Sequence, residues 1–182
     1  MFSQVDSSVS FNAIVKDGDS VSFGDVVIEL EGPARSILTG ERLALNFMQR
    51  MSGISTRTKE IVSILDGTPT KVLDTRKTTP GLRAFEKWAV TLGGGVNHRM
   101  GLYDMILLKD NHVDYAGGMR AALLQVAGYQ NGRASHLPLV VETRSYEEIE
   151  AALEASEDTG IKIDRILLDN FSHAEVAEAV SR

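Results

Sequence analysis

Apolar and polar residues form blocks along the chain, and their order predicts a small β layer, then helices, then strand–helix units. Residues 11–30 hold short apolar runs separated by Asp-Gly and Gly-Asp turn signals, which are typical of β structure. Residues 36–65 have helical spacing with a broad apolar face. Gly53 is expected to divide that stretch into two helices.

From Lys71 onward, strand and helix patterns alternate. The predicted strands are 71–74, 105–109, 138–142 and 163–169. The predicted helices are 80–91, 117–128, 146–157 and 173–181. Repeated units of this kind with apolar strands predict a parallel sheet, open or closed.

Residues typical of helix N-termini mark the start of three predicted helices. Pro80 suits the first position of a helix. Ser145 with Glu148, and Ser172 with Glu175, have the spacing of capping boxes, in which each side chain satisfies a free backbone amide of the first turn.

Each predicted strand ends in polar residues, where ligands bind in parallel α/β folds. The strand ends deliver Arg76 with Lys77, Lys109, Glu142 and Asp169. A single such end is equally explained by a salt bridge in a loop, but four together predict a ligand site.

Positive charge is concentrated in the middle of the chain, although the net charge is −6. The six cations of this region are Arg76, Lys77, Arg83, Lys87, Arg99 and Lys109. If four of them point inward, they form a site for a highly anionic small molecule. Carboxylates such as Glu142 and Asp169 suit Mg²⁺ or ribose hydroxyls. From the residues alone, a loop histidine that caps a backbone carbonyl is the favoured interpretation of His98, and Arg42 and Arg50 are interpreted as solvated charges.

Composition narrows the class of protein. A hydrophobic content of 43% over 182 residues is ordinary for a globular domain. The negative net charge argues against nucleic acid as the main partner. The absence of cysteine excludes disulfides, thiol nucleophiles and cysteine-based zinc sites. The N-terminus lacks the pattern of a signal peptide, so a cytoplasmic location is predicted.

Four motifs resemble one enzyme family. They are GERLALNFMQRMSGIST (40–56), DTRKTTPGLR (74–83), GGGVNHRMGLYD (93–104) and LLKDNH (107–112). In this order they resemble the quinolinate phosphoribosyltransferases, also called carboxylating nicotinate-nucleotide pyrophosphorylases. The resemblance implies that residues 1–35 are part of an N-terminal α/β sandwich domain. Residues 36–182 are then an incomplete parallel (β/α) barrel of the type II phosphoribosyltransferase kind.

The family's chains are longer at both ends and include a glycine-rich loop for the 5′-phosphate, which this sequence lacks. The barrel is therefore expected to be truncated at the C-terminus, and four strands cannot close it. Independent activity is accordingly doubtful on the sequence alone.

The resemblance also implies an activity. These enzymes transfer phosphoribosyl from phosphoribosyl pyrophosphate to quinolinate with decarboxylation. The products are nicotinate mononucleotide, pyrophosphate and CO₂, in de novo NAD biosynthesis. Mg²⁺ is the implied cofactor, and a homodimer or higher homo-oligomer with shared active sites is the implied assembly.

Roles carry over only where residues match the motifs. The quinolinate-contacting positions correspond to Arg76, His98, Arg99 and Lys109, with Thr75 beside them. Lys77 matches a position near the pyrophosphate, and Glu142 and Asp169 match the carboxylates for ribose and Mg²⁺. These last three are the implied catalytic residues. Arg42 matches an arginine that reaches into the neighbouring subunit's site.

Three other hypotheses remain open. A paralogue associated with molybdenum transport shares the RKTTPG and HR motifs and takes another anionic substrate. A fragment of the enzyme that only binds anions is a second possibility. The third is a lipoyl or biotinyl carrier module, which residues 18–34 resemble, although the nearest lysine, Lys16, precedes the turn.

Overall fold

A computed structural model describes residues 1–181, and two compact units divide the chain between Met100 and Gly101. The first unit contains α1 (Phe2–Val5), β1 (Ser10–Ala13), β2 (Ile28–Glu31), α2 (Ala34–Ile64) and α3 (Arg83–Leu92). Strands β1 and β2 pair antiparallel. The ring of Phe2 is buried against α2 at Gly40, where an added Cβ would lie 2.9 Å from it.

Helix α2 runs without a break through Gly53, so the predicted division into two helices was wrong. The helix packs on the region of α3 from both sides of this glycine. Phe47 meets Phe85 edge to face, with 5.0 Å between ring centroids, and Ser55 Oγ donates to the carbonyl of Ala89 at 2.8 Å. These contacts hold both halves in line, and they outweigh the cost of about 1 kcal/mol for one interior glycine.

Helix α3 begins at Arg83, three residues later than predicted. Pro80 and Gly81 instead occupy the centre of a β-turn, closed by a hydrogen bond from Leu82 N to Thr79 O at 3.0 Å. Gly81 has φ +78°, which identifies a type II turn with proline and glycine in their preferred positions. The Pro-Gly pair therefore ends the preceding segment and does not start the helix.

The strand predicted at 71–74 is reduced to one parallel bridge between Leu73 and Val96. Asp74 N donates to Val96 O at 3.1 Å, and Val96 N donates to Val72 O at 2.8 Å. Two short extended segments therefore lie side by side, one leading to residues 75–77 and the other to residues 97–99.

The second unit contains a parallel sheet in the order β3 (Ile106–Leu108), β4 (Leu139–Thr143) and β5 (Arg165–Leu168). Between the strands lie α4 (Asp110–Ala116), α5 (Met119–Gln130) and α6 (Tyr146–Thr159), and α7 (His173–Ser181) follows β5. Helix α4 was not predicted, and it ends at Gly117 in the left-handed conformation. The core lies between sheet and helices and contains Leu108, Met119, Ala122, Leu123, Val126, Leu139, Val141, Ala152 and Ala155.

Both predicted capping boxes start helices where expected. Glu175 N donates to Ser172 Oγ and Ser172 N donates to Glu175 Oε2, which completes the reciprocal pair. At α6, Glu148 N donates to Ser145 Oγ at 3.3 Å, but the Glu148 carboxylate accepts from Arg144 N instead.

The α/β class and the parallel sheet are thus confirmed. Within residues 1–181 the parallel sheet has three strands and is not a closed barrel, so the barrel stays a prediction. The domain boundary between residues 35 and 36 also stays a prediction. No helix in this range is long and apolar enough to span a membrane.

Candidate active site

One buried carboxylate, that of Asp74, joins three segments of the first unit. Its Oδ1 accepts from Lys87 Nζ of α3 in a close ion pair and from the backbone N–H of His98 at 2.8 Å. The amide nitrogen of Asn97, in the orientation that satisfies its hydrogen bonds, donates to Oδ2 at 2.6 Å. The Lys87 and Asp74 side chains are only 1% and 6% exposed. This ion pair therefore fixes the loop at 97–98 against the segment that begins at Asp74.

Arg83, at the start of α3, binds the same two segments through their backbones. Its Nη2 donates to the carbonyl of Arg76 at 3.3 Å, and its Nη1 donates to the carbonyl of Met100 at 3.1 Å. Its Nε donates to Thr78 Oγ1 at 3.2 Å. Arg83 and Lys87, both included in the predicted cation cluster, thus serve to hold backbone and carboxylate groups in place.

The predicted ligand-contacting residues of this unit lie on the two joined segments. Thr75, Arg76 and Lys77 follow Asp74, and His98 and Arg99 follow Asn97. Thr75 Oγ1 accepts from the backbone N–H of Lys77 at 3.0 Å, which shapes the turn. Arg76 Nε is buried and has no hydrogen-bond partner among residues 1–181. A buried donor without an acceptor is costly, so this guanidinium is suited to receive an anion.

A second ion pair supports the segment that follows Lys77. Arg50 Nε and Nη2 donate to Glu86 Oε1 at 3.0 and 2.6 Å, and Thr79 N donates to Glu86 Oε2 at 3.1 Å. Burial raises the pKa of Glu86, but the hydrogen bonds from Thr79 and Arg50 outweigh it and hold the pKa below its usual value. Arg50 was interpreted as a solvated charge; its side chain is 54% exposed, but its guanidinium is paired.

Arg42 lies on the exposed surface of α2. Its guanidinium makes no hydrogen bond or ion pair with the rest of the described chain. Its predicted role in a neighbouring subunit stays a prediction.

In the second unit, Lys109 and Glu142 come together at the carboxyl ends of β3 and β4. Lys109 Nζ lies 3.0 Å from Glu142 Oε2 and 3.2 Å from Oε1. The Lys109 side chain is 44% exposed and that of Glu142 is 12% exposed. The lysine head is therefore accessible, while the carboxylate lies deeper in the unit.

Asp169 follows β5 at the same end of the sheet. Its backbone N–H donates to Thr143 O at 2.8 Å, and the register pairs Glu142 with Leu167. Because Asp169 follows Leu167 by two positions, strand alternation places it on the face of the sheet that carries Glu142. Asn170 has φ +61° and donates to Asp169 Oδ2 at 2.9 Å, so the turn holds this carboxylate.

His112 orients the backbone at the start of α4. Its Nδ1 accepts from the backbone N–H of Lys109 at 3.0 Å and so caps α4. This bond fixes the backbone at the residue whose side chain pairs with Glu142.

Sequence reasoning missed the groups that hold the site together. Asp74 and Asn97 received no role, although each directly precedes a predicted contact residue. In the sequence, Asp74 and Lys87 are only a carboxylate and a cation thirteen positions apart. That spacing is not one at which side chains of a single helix or strand meet, so it gave no signal of the ion pair.

Two family models match nearly the whole chain. The quinolinate phosphoribosyl transferase C-terminal domain matches residues 54–182, and the N-terminal domain of the same family matches residues 1–52. The chain belongs to the quinolinate phosphoribosyl transferase family. The sequence-based identification of the family is thus confirmed.

Named relatives agree with this membership. A mitochondrial quinolinate phosphoribosyltransferase (decarboxylating) from Nicotiana glauca is 46% identical over 171 residues, which are 94% of this chain and 48% of that protein. A probable nicotinate-nucleotide pyrophosphorylase (carboxylating) from Bacillus subtilis is 44% identical over 94% of this chain and 58% of its own length. The chain thus spans about half the length of the curated relatives it matches.

Solved structures of the family share the fold. The crystal structure of NadC from Streptococcus pyogenes matches with a TM-score of 0.88 and 42% identity, over 99% of this chain and 61% of that chain. The nicotinate-nucleotide pyrophosphorylase from Francisella tularensis matches with a TM-score of 0.89 and 39% identity, with the same coverage.

Proposed function

We propose that this chain forms part of a quinolinate phosphoribosyltransferase, which transfers phosphoribosyl from phosphoribosyl pyrophosphate to quinolinate with loss of CO₂. The observation that supports it most directly is the buried donor of Arg76, which has no acceptor among residues 1–181, next to the exposed Lys77 in a member of this family. An unfilled buried donor costs about 1–3 kcal/mol, and a bound carboxylate would recover that cost.

Quinolinate has two adjacent carboxylates, so it needs planar cationic donors. Arg76 and Arg99 supply forked guanidinium groups, which match carboxylate geometry better than an ammonium does. His98 and Thr75 add donors beside them. Lys109 is the corresponding cation of the second unit, and its accessible head is suited to a substrate carboxylate.

The proposed reaction breaks the bond between ribose C1′ and pyrophosphate as the ring nitrogen of quinolinate attacks C1′. Positive charge develops at C1′, so a carboxylate near the ribose, Glu142 or Asp169, favours that transition state. Lys77 favours the departing pyrophosphate. The bond between ring carbon 2 and its carboxylate then breaks, and CO₂ leaves. The electron pair stays on carbon 2, stabilised by the adjacent ring cation, and takes up a proton from water to give the C–H of the product, so no protein nucleophile is required.

The carboxylates present fit a Mg²⁺ ion that is bound together with substrate. Glu142 and Asp169 are hard oxygen ligands at the ends of adjacent strands. No cluster of three or more metal-binding side chains occurs within residues 1–181, but Mg²⁺ commonly uses one or two carboxylates with phosphates and water. When bound, Mg²⁺ would neutralise charge on the pyrophosphate group. The exposed Arg42 supports a homodimer in which it reaches the partner's site.

The first test is calorimetric titration of the chain with quinolinate, with nicotinate as the monocarboxylate control. Saturable binding of quinolinate only is expected. Arg99→Ala is expected to weaken it by about tenfold to a hundredfold, since a charged hydrogen bond is worth roughly 1.5–3 kcal/mol. Arg57→Ala on the exposed face of α2 is the matched control and keeps the affinity.

Equal affinity of Arg99→Ala and the unmodified chain, with the fold intact by circular dichroism, would contradict the substrate assignment. Formation of nicotinate mononucleotide from quinolinate and phosphoribosyl pyrophosphate distinguishes a catalytic chain from one that only binds anions.

A further inference from the structure

Building on the proposed function, we propose that Arg83 is a positioning residue for the dicarboxylate. It does not touch the ligand. Its guanidinium sets the spacing between segment 75–77 and segment 97–99, which carry the predicted contact residues, and so determines the affinity for quinolinate.

The contacts of Arg83 fit this role because each of its three nitrogens has a different acceptor. Nη2 donates to the carbonyl of Arg76 on one segment, and Nη1 donates to the carbonyl of Met100, directly after Arg99 on the other. Nε donates to Thr78 Oγ1 at 3.2 Å. The guanidinium therefore bridges the backbones at the two arginines that the ligand needs.

The charges of the two segments explain why a bridge between their backbones is useful. Arg76, Lys77 and Arg99 carry like charges on neighbouring segments, and like charges oppose the contact between those segments. Arg83 adds a further positive charge and cannot act by neutralisation. Its contribution is geometric, since a planar fork binds two carbonyls in a fixed arrangement.

The Asp74 and Lys87 ion pair holds segment 97–99 at the end opposite to Met100, where Arg83 binds. Lys87 lies one helical turn after Arg83 on α3, so the two side chains project from neighbouring positions of one helix. Asp74 holds the His98 backbone N–H at 2.8 Å. Helix α3 thus fixes both the beginning and the end of loop 97–100.

The test compares Arg83→Lys, Arg83→Met and the matched control Arg57→Met, an arginine whose side chain is 75% exposed on α2. Quinolinate affinity is measured by calorimetry, and amide hydrogen exchange is followed over residues 96–100. Lysine keeps the charge but places its three donors on one nitrogen, so it does not reproduce the arrangement in which three separate nitrogens of Arg83 each meet a different acceptor. Both Arg83 variants are expected to weaken binding by about tenfold or more, because small displacements of binding groups are costly. Both are also expected to speed exchange at the His98 amide.

Wild-type affinity in Arg83→Lys with weak binding in Arg83→Met would show that charge alone matters and would overturn the proposal. Unchanged affinity in both variants would overturn it as well. If circular dichroism shows that one of the two Arg83 variants is unfolded, the other Arg83 variant alone is compared with Arg57→Met.

Failure of the proposed function gives a different result. If the unmodified chain does not bind quinolinate, the dicarboxylate role of Arg83 falls with it. Hydrogen exchange then decides the bridge itself: faster exchange at His98 in Arg83→Met than in Arg57→Met supports the bridge, and equal exchange refutes it.

Discussion

At the residue scale, Gly93 shows how tightly α2 approaches the segment after α3. Its φ of −77° is open to any residue, so the glycine is needed for space and not for backbone conformation. A Cβ added there would lie 2.6 Å from Thr58 Cβ and would also meet the carbonyl oxygen of Ser55. The backbone of α2 cannot yield as a flexible side chain would.

Gly93→Ala is therefore expected to destabilise the chain by about 1–3 kcal/mol, the usual cost of overpacking. Gly53→Ala is the matched control, because nothing lies within 4 Å of a Cβ added there in the middle of α2. It is expected to stabilise the chain by about 0.5–1 kcal/mol through helix propensity. Urea unfolding of both variants checks the pair, and a stable Gly93→Ala would refute the close approach.

The pKa of Glu86 gives a second prediction at this scale. Although burial raises the pKa of Glu86, hydrogen bonds from Thr79 and Arg50 lower it below its usual value in the folded chain. The unfolded chain therefore binds the proton more readily at acidic pH. The stabilising effect of Glu86 is complete above the unfolded pKa, about 4.3, and is lost as pH falls through the folded pKa.

The free energy of unfolding is thus expected to fall between about pH 5 and pH 3, and to fall less steeply in Glu86→Gln. Urea unfolding at several pH values measures both slopes. Identical slopes would show that the Arg50 and Thr79 contacts do not favour the charged carboxylate.

Local sequence signals mark the predicted contact residues, but they do not mark the residues that hold those contact residues in place. Arg76 and Arg99 lie in recognisable motifs, and Lys109 follows a buried strand. The Asp74–Lys87 and Arg50–Glu86 pairs join distant positions, and the sequence contains no local signal for such pairing. Their partners are set by how α2 and α3 pack, which is a tertiary property.

At the element scale, periodicity located three of the four predicted parallel strands and most helices, but not their exact limits. The strand predicted at 138–142 lies at 139–143, and helix 146–157 extends to 159. The helix break predicted at Gly53 and the helix start predicted at Pro80 were wrong because both rested on the local propensity of one residue and not on packing or turn geometry. One glycine does not end a helix that packs on both sides of it, and proline before glycine favours a type II turn.

The contribution of the N-cap residue of α6, Ser145, to stability can be tested by substitution. Ser145 Oγ accepts from Glu148 N at 3.3 Å and satisfies one of the free amides of the first turn. Ser145→Ala is expected to cost about 1 kcal/mol in the free energy of unfolding. Ser145→Asp is expected to retain stability, because its carboxylate keeps a hydrogen-bond acceptor and its negative charge is stabilised by the positive end of the helix dipole. Equal loss in both variants would contradict the capping role.

At the scale of the whole molecule, one region of the chain has a charge opposite in sign to the net charge. The chain has a net charge of −6, yet residues 76–109 contain six Lys and Arg against two carboxylates, Glu86 and Asp104. A dianion is repelled by the chain as a whole and attracted by this region. The net charge therefore does not describe this region, whose local pattern predicts an anionic ligand.

This distribution predicts that quinolinate binding depends on salt. The Debye length falls from about 10 Å at 0.1 M to about 3 Å at 1 M ionic strength, so the exposed cations lose most of their reach. Affinity is expected to fall by about tenfold between these conditions, since partly exposed charge pairs of a few kcal/mol lose roughly 1–2 kcal/mol to screening. Calorimetric titration at several NaCl concentrations measures the slope.

Lys77→Gln separates long-range attraction from direct contact. Lys77 is exposed, so its removal is expected to flatten the dependence of affinity on salt while quinolinate still binds at high salt through Arg76 and Arg99. Arg99→Ala is expected to weaken binding at every salt concentration. An affinity that does not change with salt in the unmodified chain would mean that the buried Arg76 guanidinium and neutral donors dominate, and that the exposed cations act on the pyrophosphate group instead.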